Sequence, residues 1–310
     1  MEKERSLAQK GLLTLKGIAM GAADVVPGVS GGTIAFITGI YEELITSINN
    51  INLGALKILK KDGFGTFWKH VNGTFFVFLF GGIAVSILSL AKIVLYLLET
   101  HPVLIWSFFF GLIIASTIIV GKAIKNWDIP VIMFFSIGTV AALFISSIQT
   151  IASVDATWYI FLSGCIAICA MILPGISGSF ILVLLGSYHV VLSALESRDL
   201  GIIAVFMAGC LVGILSFARL LKYLFTKFKE ITIAVLTGFM LGSLYKVWPW
   251  KVNIGSAPLV IHSDGKQDWM TSNVLPNGFD GDPQLGLAIV FMIVGLALVL
   301  ILEKVGKKYA

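Results

Sequence analysis

The chain has 310 residues, of which 57% are hydrophobic and 13% are charged, and its mean hydropathy is +0.96. Soluble domains carry about 25% charged residues, so this composition excludes an ordinary soluble protein and predicts an all-α polytopic membrane protein. The net charge of +5 does not require a nucleic-acid partner, because most basic residues lie in short polar segments between apolar runs, where they determine topology.

The first apolar region, residues 12–48, is interrupted by the sequence VVPGVSGGTIAFITGIYEEL at residues 25–44. Its Pro, Gly and Ser residues leave two helical arms of roughly 12–16 residues, which reach about 18–24 Å. Such arms pass the middle of a hydrocarbon core about 30 Å thick but do not reach the far side. We therefore predict a re-entrant hairpin with its tip near the membrane midplane.

Six uninterrupted apolar segments are close to the length of about 20 residues that a transmembrane helix needs. They are residues 75–98, 103–121, 130–150, 202–225, 231–247 and 284–303. A second interrupted region, residues 158–195, separates the third segment from the fourth, and we predict a second re-entrant hairpin there. Residues 1–150 and 151–310 are then two repeats, each a hairpin plus three transmembrane helices, within one integrated membrane domain.

The two interrupted regions share one motif, which reads ILPGISGSFILVLLGSYHVV at residues 172–191 in the second region. Six residues recur at a constant interval: Pro27, Gly28, Ser30, Gly31, Gly39 and Tyr41 as Pro174, Gly175, Ser177, Gly178, Gly186 and Tyr188. Apolar segments interrupted at matching positions of two halves are the best sequence indication of a transporter's binding site.

The distribution of basic residues predicts the topology. If each hairpin returns to the side from which it entered, both termini and the Lys-containing segments 49–74, 122–129 and 226–230 lie in the cytoplasm, and the acidic segment 248–283 lies outside. Three crossings per half invert the second half relative to the first, which predicts an inverted-topology repeat. Two full crossings in place of each hairpin preserve the same pattern, so this alternative stays open.

The repeated motif is suited to holding an anion such as phosphate. Glycine lets the backbone approach a ligand, Ser30 and Ser177 stand where a hydroxyl can cap the second arm, and the first N–H groups of that arm lack helical partners. The alternative is that the motif only turns and packs each hairpin. The candidate phosphate-binding residues of the two motifs are Pro27, Gly28, Ser30, Gly31, Gly32, Thr33, Pro174, Gly175, Ser177, Gly178 and Ser179.

Few charged residues lie within the apolar regions. Lys92 and Arg219 occupy equivalent places in the similar stretches LSLAKIVLYLL (88–98) and LSFARLLKYLF (215–225), one toward each mouth, where they can receive an anionic head group. Snorkelling of both side chains to the membrane interface is the alternative.

Asp24 is the only acid beside the first motif, and it can cap the second arm, pair with a cation or carry a coupling proton.

Four residues near the ends of the motifs are candidates for coupling or gating. Glu42 and His189 can titrate beside Tyr41 and Tyr188. The alternative without function is that Glu42 and His189 are simply solvated and that the two tyrosines anchor the helices at the membrane interface.

The chain contains three cysteines, which all lie in apolar runs: Cys165, Cys169 and Cys210. Metal binding would need further His, Asp or Cys ligands nearby, and the sequence shows none there. We predict small packing residues, with no metal site and no cofactor.

The string DVVPGVSGGTIAFITGIYEELI, with PGISGSFILVLLGSY in the second half, resembles the bacterial polyprenyl-phosphate transporter family. The resemblance extends over essentially the whole chain. It implies a multi-pass flippase of the bacterial plasma membrane that returns undecaprenyl phosphate, the lipid carrier of envelope polymers, from the outer to the inner leaflet. The implied partners are the polyprenyl-phosphate lipid and the bilayer, and the sequence leaves open whether a proton, a sodium ion or neither is coupled.

Membrane-embedded undecaprenyl-diphosphate phosphatases supply the main alternative, because they use similar hairpins with a motif like PG-x-S-R-S-G. Here Gly31 and Gly178 stand in place of the arginine, and Glu42 and Glu43 are adjacent instead of forming an E-x-x-x-E pair. Phosphoryl transfer needs positioned charge on its transition state, so we predict a carrier and not an enzyme. An ion channel or another anion transporter is the third class considered.

Overall fold

The computed structural model describes residues 5–25, 29–147, 156–254, 260–261, 267–268 and 270–309. Most of these residues are helical, as the composition predicts. The helices are α1 (Leu7–Asp24), α2 (Gly31–Ile37), α3 (Tyr41–Asn50), α4 (Leu53–His70), α5 (Gly73–Ser89), α6 (Ala91–Thr100), α7 (Pro102–Gly121), α8 (Ile129–Ser147), α9 (Thr157–Ile172), α10 (Gly178–Leu184), α11 (Tyr188–Ser197), α12 (Leu200–Lys227), α13 (Lys229–Ser243) and α14 (Leu285–Tyr309).

The prediction of an all-α fold is wrong for the polar segment between α13 and α14. Strand β1 (Lys251–Ile254) pairs antiparallel with β4 (Met270–Asn273), and β2 (Val260–Ile261) pairs with β3 (Gln267–Asp268). The segment has no apolar run of helical length, and β-branched residues in both outer strands suit a short ladder.

Three helices of the described part of the chain, α7, α8 and α12, are long and apolar enough to cross a membrane. Helices α4 and α5 form a fourth span if the pair, which is bent by 51°, counts as one. The three helices match the predicted crossings at 103–121, 130–150 and 202–225, whereas the full number of six crossings stays a prediction.

The predicted crossing at 75–98 is wrong as one continuous helix, because α5 ends at Ser89 and α6 begins at Ala91. The Ser89 hydroxyl donates to the backbone carbonyl of Val85 at 2.5 Å. Back-bonding of this kind competes with the helical hydrogen bonds and bends helices. The segment 49–74, predicted as a loop, is largely the helix α4, which Asn52 caps and which Gly63 interrupts at φ 80°.

Each interrupted region has one more break than predicted. The arm after the motif is not continuous, since a seven-residue helix (α2 or α10) is followed by a turn and a ten-residue helix (α3 or α11). Gly39 (φ 73°) and Gly186 (φ 66°) form these turns, because a left-handed residue at the end of a helix satisfies its last carbonyls. The order of one long, one seven-residue and one ten-residue helix therefore occurs twice in the chain.

Four helix pairs form the frame around these regions: α1 with α5, α9 with α12, α7 with α14, and α8 with α13. In each pair, a glycine of one helix packs against the backbone of the other helix, and the reverse also holds. A Cβ atom added at either glycine would overlap with a carbonyl oxygen of the neighbouring helix. The distances from such an added Cβ atom to the carbonyl oxygen are Gly17 to Leu79 2.2 Å, Gly82 to Thr14 2.2 Å, Gly164 to Phe206 2.6 Å, Gly209 to Phe161 2.1 Å, Gly111 to Met292 1.9 Å, Gly295 to Phe108 2.0 Å, Gly138 to Val235 2.4 Å and Gly238 to Phe135 2.2 Å.

These contacts place backbone against backbone. The thiols of Cys165 and Cys169 donate to the carbonyls of Gly209 and Gly213 in the α9–α12 pair, so both cysteines pack between helices. Two of the four pairs, α7 with α14 and α8 with α13, join helices from different halves of the chain. The two halves are therefore interleaved.

The α1–α5 contact offers a matched test of this packing. Gly82→Ala should destabilise the protein by at least about 1–3 kcal/mol, since the new methyl group meets the Thr14 carbonyl and the helices must separate. Gly81→Ala is the control, because nothing lies within 4 Å of its added Cβ atom. Thermal denaturation in detergent should show a lower midpoint for Gly82→Ala only, and equal midpoints for both variants would contradict the packing.

Candidate functional site

The breaks of the two repeated motifs lie against each other inside the protein. The Thr33 hydroxyl accepts a hydrogen bond from the backbone N–H of Gly175 at 3.0 Å, and the Ser30 hydroxyl lies 3.1 Å from the carbonyl oxygens of Met171 and Leu173. Ser30 and Thr33 are both fully buried. The structure thus brings together residues that lie more than 140 positions apart.

The first break is closed by the chain's own oxygen atoms. Asp24 Oδ1 accepts from the N–H of Gly31 at 2.7 Å, and Ser30 Oγ accepts from the N–H of Gly32 at 3.0 Å. The N–H of Thr33 donates to the Ser30 carbonyl. The predicted cap by Ser30 is confirmed, and Asp24 makes the capping contact that was one of its three alternatives. The first three N–H groups of α2 are therefore all satisfied within the protein.

The second break is arranged differently. Ser177 occupies the N-cap position of α10, but its hydroxyl pairs with that of Ser179 at 2.8 Å and makes no cap bond, so the predicted cap is wrong here. The N–H groups of Gly178 and Ser179 donate to no acceptor in the described residues. Met171 stands where the first motif has Asp24. The second break therefore has two N–H groups without an acceptor among the described residues, whereas the corresponding N–H groups of the first break are satisfied. Its two hydroxyls pair with each other and not with the backbone of α10.

The glycines of the motifs differ in how tightly they are enclosed. A Cβ atom at Gly31 would lie 2.5 Å from the Asp24 carboxylate, and one at Gly32 would lie 2.4 Å from the Ile172 carbonyl of the other hairpin. Gly175 has φ 87° and packs on the backbone of Phe239 and Met240. Pro174 is buried next to it, while Pro27 and Gly28 lie outside the described residues.

The carbonyls at the two later turns also have partners on the long helices. Lys16 Nζ on α1 donates to the Thr38 carbonyl at 2.7 Å, and the Tyr159 hydroxyl on α9 donates to the Leu185 carbonyl at 2.8 Å. The sequence analysis missed both side chains, because a single Lys or Tyr in a long apolar helix does not indicate which distant carbonyl it reaches.

The structure does not bring Lys92 and Arg219 to the motifs. Lys92 lies on α6 and Arg219 on α12, and both are exposed among exposed apolar side chains such as Ile93 and Leu220. This environment fits long cations that extend along the membrane surface. A role in receiving a head group stays a prediction for these two residues.

Tyr41, Glu42 and Tyr188 have unlike surroundings. Tyr41 is 2% exposed and its ring packs on Phe36 and Phe225, so interfacial anchoring is wrong for this residue. Its hydroxyl has no hydrogen-bond partner among the residues that the structure describes. Glu42 is exposed and forms an ion pair with Lys229 at 2.6 Å. Tyr188 is half-buried, and the side chain of His189 lies outside the described part.

A polar cavity of about 280 Å³ lies away from the motif breaks. The sequence analysis missed its central contact, in which Glu43 accepts hydrogen bonds from Arg5 and from Asn72, the latter at 2.8 Å. The residues that line the cavity are Glu42, Glu43, Thr46, Ser47, Asn50, Lys69, His70 and Asn72.

Comparisons with known proteins agree on one family. A family model described as undecaprenyl phosphate translocase-like matches residues 20–261. The polyprenyl-phosphate transporter of Vibrio cholerae serotype O1 is 46% identical over 299 residues, which cover 95% of this chain and 96% of that protein. The polyprenyl-phosphate transporter of Staphylococcus aureus is 32% identical over 254 residues, which cover 76% and 85% of the two chains. No solved structure matches the chain.

The hydrogen bond between Thr33 and the N–H of Gly175 should contribute to the stability of the protein. Thr33→Val leaves the buried N–H of Gly175 without an acceptor, which should cost about 1–3 kcal/mol of stability. Thr33→Ser keeps the acceptor and should lose much less. Thr237→Val is the matched control, since this similarly buried hydroxyl donates to the Ile233 carbonyl within its own helix. Thermal denaturation of the three variants measures these losses of stability. Equal losses for Thr33→Val and Thr237→Val would show that the bond between the two breaks adds no particular stability.

Proposed function

Because the chain belongs to the undecaprenyl phosphate translocase-like family, we propose that it carries polyprenyl phosphate across the bacterial plasma membrane. The lipid is undecaprenyl phosphate, the direction is from the outer to the inner leaflet, and the purpose is reuse of the carrier lipid. The observation that carries the proposal is the direct contact between two motif breaks from different halves of the chain.

The proposed site for the phosphate head group is this junction. It offers neutral donors, namely the hydroxyls of Ser30, Thr33, Ser177 and Ser179 and the open N–H groups of Gly178 and Ser179. Ser30 and Thr33 are fully buried in this conformation, so the head group reaches them only when the two breaks separate. A carrier needs such an element with two arrangements, one for each side of the membrane.

We also propose that the two interrupted regions are re-entrant hairpins in inverted halves. The repeated order of helices and the interleaved pairs α7–α14 and α8–α13 support this arrangement. Burial of Ser30 and Thr33 supports a tip enclosed by protein, since non-helical backbone at membrane depth needs such cover. Both termini are proposed to lie in the cytoplasm.

Asp24 is the proposed coupling residue. Its carboxylate occupies the N–H of Gly31, which is a position that a phosphate oxygen would take. A negative carboxylate also repels an incoming phosphate, whereas a protonated one does not. Uptake of a proton by Asp24 would therefore free the first break for the head group.

The proposed activity is transport without hydrolysis. Gly31 faces the Asp24 carboxylate, and a guanidinium that could stabilise phosphoryl transfer is absent from both motifs as the structure describes them. Proteoliposomes of the purified protein should move polyprenyl phosphate between leaflets faster than empty liposomes. They should release no inorganic phosphate from polyprenyl diphosphate, and robust release would favour the phosphatase alternative.

Orientation is tested by chemical labelling. Single cysteines in place of Lys57 and Asp280, both exposed, should react with a membrane-impermeant thiol reagent from opposite sides of the membrane. The three native cysteines are replaced in this background. Reaction of Lys57→Cys from the cytoplasmic side only is expected from the positive-inside rule. Labelling of both positions from the same side would overturn the inverted arrangement.

If Asp24 has the proposed coupling role, its replacement should alter transport and leave folding intact. Asp24→Asn keeps an acceptor for the N–H of Gly31 but cannot exchange a proton, so transport should become slow and insensitive to an imposed pH gradient. Asp199→Asn is the control, because Asp199 caps α12 in the same way at an exposed site. Retained sensitivity to the pH gradient in Asp24→Asn would assign Asp24 to capping alone.

A further inference from the structure

Two lysines that follow α13 lie close to the second break. Lys246 follows α13, and its Nζ atom lies 4.2 Å from the centre of the Phe180 ring on α10. Lys251 opens β1, and its Nζ atom lies 4.1 Å from the Trp106 ring on α7. Phe180 directly follows Ser179, so the first lysine stands beside the open donors of the second break.

The two ammonium groups belong to one cluster. Lys251 Nζ donates to the backbone carbonyl of Lys246 at 2.6 Å, which uses one of its three hydrogens. Lys246 Nζ donates to no oxygen in the described residues, and neither lysine forms a salt bridge there. The cluster therefore brings together two lysine amines whose neighbours, among the described residues, are aromatic rings instead of carboxylates.

Such an arrangement is costly without an anion. Burial, together with the charge of the neighbouring Lys246, lowers the pKa of Lys251 to about 7. Buried charges are normally paired. An anion between the two lysines would remove their mutual repulsion and supply the missing partner.

The segment that carries the lysines is held firmly in place. The indole N–H groups of Trp248 and Trp250 donate to the carbonyls of Val274 and Pro283 at 2.8 and 2.9 Å. Trp250 also packs with Val103 and Ala288, at the beginnings of α7 and α14. The chain between the two lysines is thus anchored by two indole hydrogen bonds.

We propose that Lys246 and Lys251 form the receiving site that captures the phosphate of the lipid at the end of the helix bundle where the 248–283 segment lies. The proposal rests on the proposed function and names the residues that act before the motif. The ligand class is a phosphate monoester with an apolar tail, since the phosphate matches the two lysines and the neighbouring Trp106 and Phe180 rings offer apolar contact. From Lys246 the phosphate passes to the hydroxyls of Ser177 and Ser179.

Binding is measured with a soluble short-chain isoprenyl phosphate, using the fluorescence of the intact protein in detergent, because Trp106 lies against Lys251. The matching isoprenyl alcohol serves as the ligand without charge. Lys246→Met and Lys251→Met should each weaken phosphate binding by about tenfold or more and leave the weak binding of the alcohol unchanged. The exposed Arg198, on the short connection between α11 and α12, supplies the control Arg198→Asn, which should bind as the unmodified protein does.

The same variants separate a binding role from a structural one. If the lysines exist to receive an anion, their replacement by methionine removes an unpaired buried charge, so thermal stability should stay equal or rise while binding falls. If they only tie the segment to Trp106 and Phe180, stability should fall and binding per folded molecule should not change. This second result, or unchanged phosphate binding in both Met variants, would overturn the proposal.

The outcome is distinguishable from a failure of the proposed function. If the unmodified protein binds isoprenyl phosphate through the two lysines but does not move polyprenyl phosphate in liposomes, the receiving site stands and the carrier function is wrong. If transport is intact and both Met variants transport normally at limiting lipid concentration, the function stands and the receiving site is wrong. An equal loss in Arg198→Asn would assign the effect to general surface charge and reject the site.

Discussion

Contact of helix backbones at paired glycines is the constraint on which the rest of the structure depends. Lipid tails are as apolar as leucine side chains, so helices in a membrane gain little from burying apolar surface against each other and associate through close packing instead. At Gly111 and Gly295 the backbones approach so closely that each glycine faces a carbonyl oxygen of the other helix. Weak Cα–H···O contacts of this kind add to the packing. Four such pairs fix the frame that holds the interrupted regions.

The frame allows the two motif breaks to satisfy each other. Non-helical backbone inside a membrane protein needs hydrogen-bond partners, and here the Thr33 hydroxyl serves Gly175 while Ser30 faces the carbonyls of Met171 and Leu173. The two breaks are nevertheless unequal, because Asp24 closes the first and Met171 leaves the second open. The proposed coupling role of Asp24 rests on this difference between the two breaks.

Several features of this arrangement follow from the sequence alone, and others do not. The repeated Pro-Gly-x-Ser-Gly pattern predicts two breaks, and the capping roles of Asp24 and Ser30 follow because they depend on neighbours a few residues away. The Thr33–Gly175 bond joins positions 142 residues apart, and no local pattern indicates it. Gly39 and Gly186 are visible as repeated residues, but the sequence does not distinguish a left-handed turn from close packing. Lys246 lies at the end of the predicted crossing 231–247 and Lys251 in the polar segment after it. Lysines at such places usually reach solvent, and only the fold places these two against aromatic rings.

The kinds of donor at the junction also fit a carrier better than an enzyme. Arginine holds a phosphate with a rigid fork of two hydrogen bonds, whereas lysine offers a compact charge on a flexible stem, and hydroxyls and backbone N–H groups offer no charge at all. In the proposed path the phosphate passes from two lysines to neutral hydroxyl and N–H donors, and neither place offers the rigid double contact of an arginine. In the proposed cycle the Asp24 carboxylate would compete with the phosphate for the N–H of Gly31 and favour its release after losing its proton. Moderate binding at each place, with no group that stabilises cleavage of the phosphate ester, is what returning an intact lipid across the membrane requires.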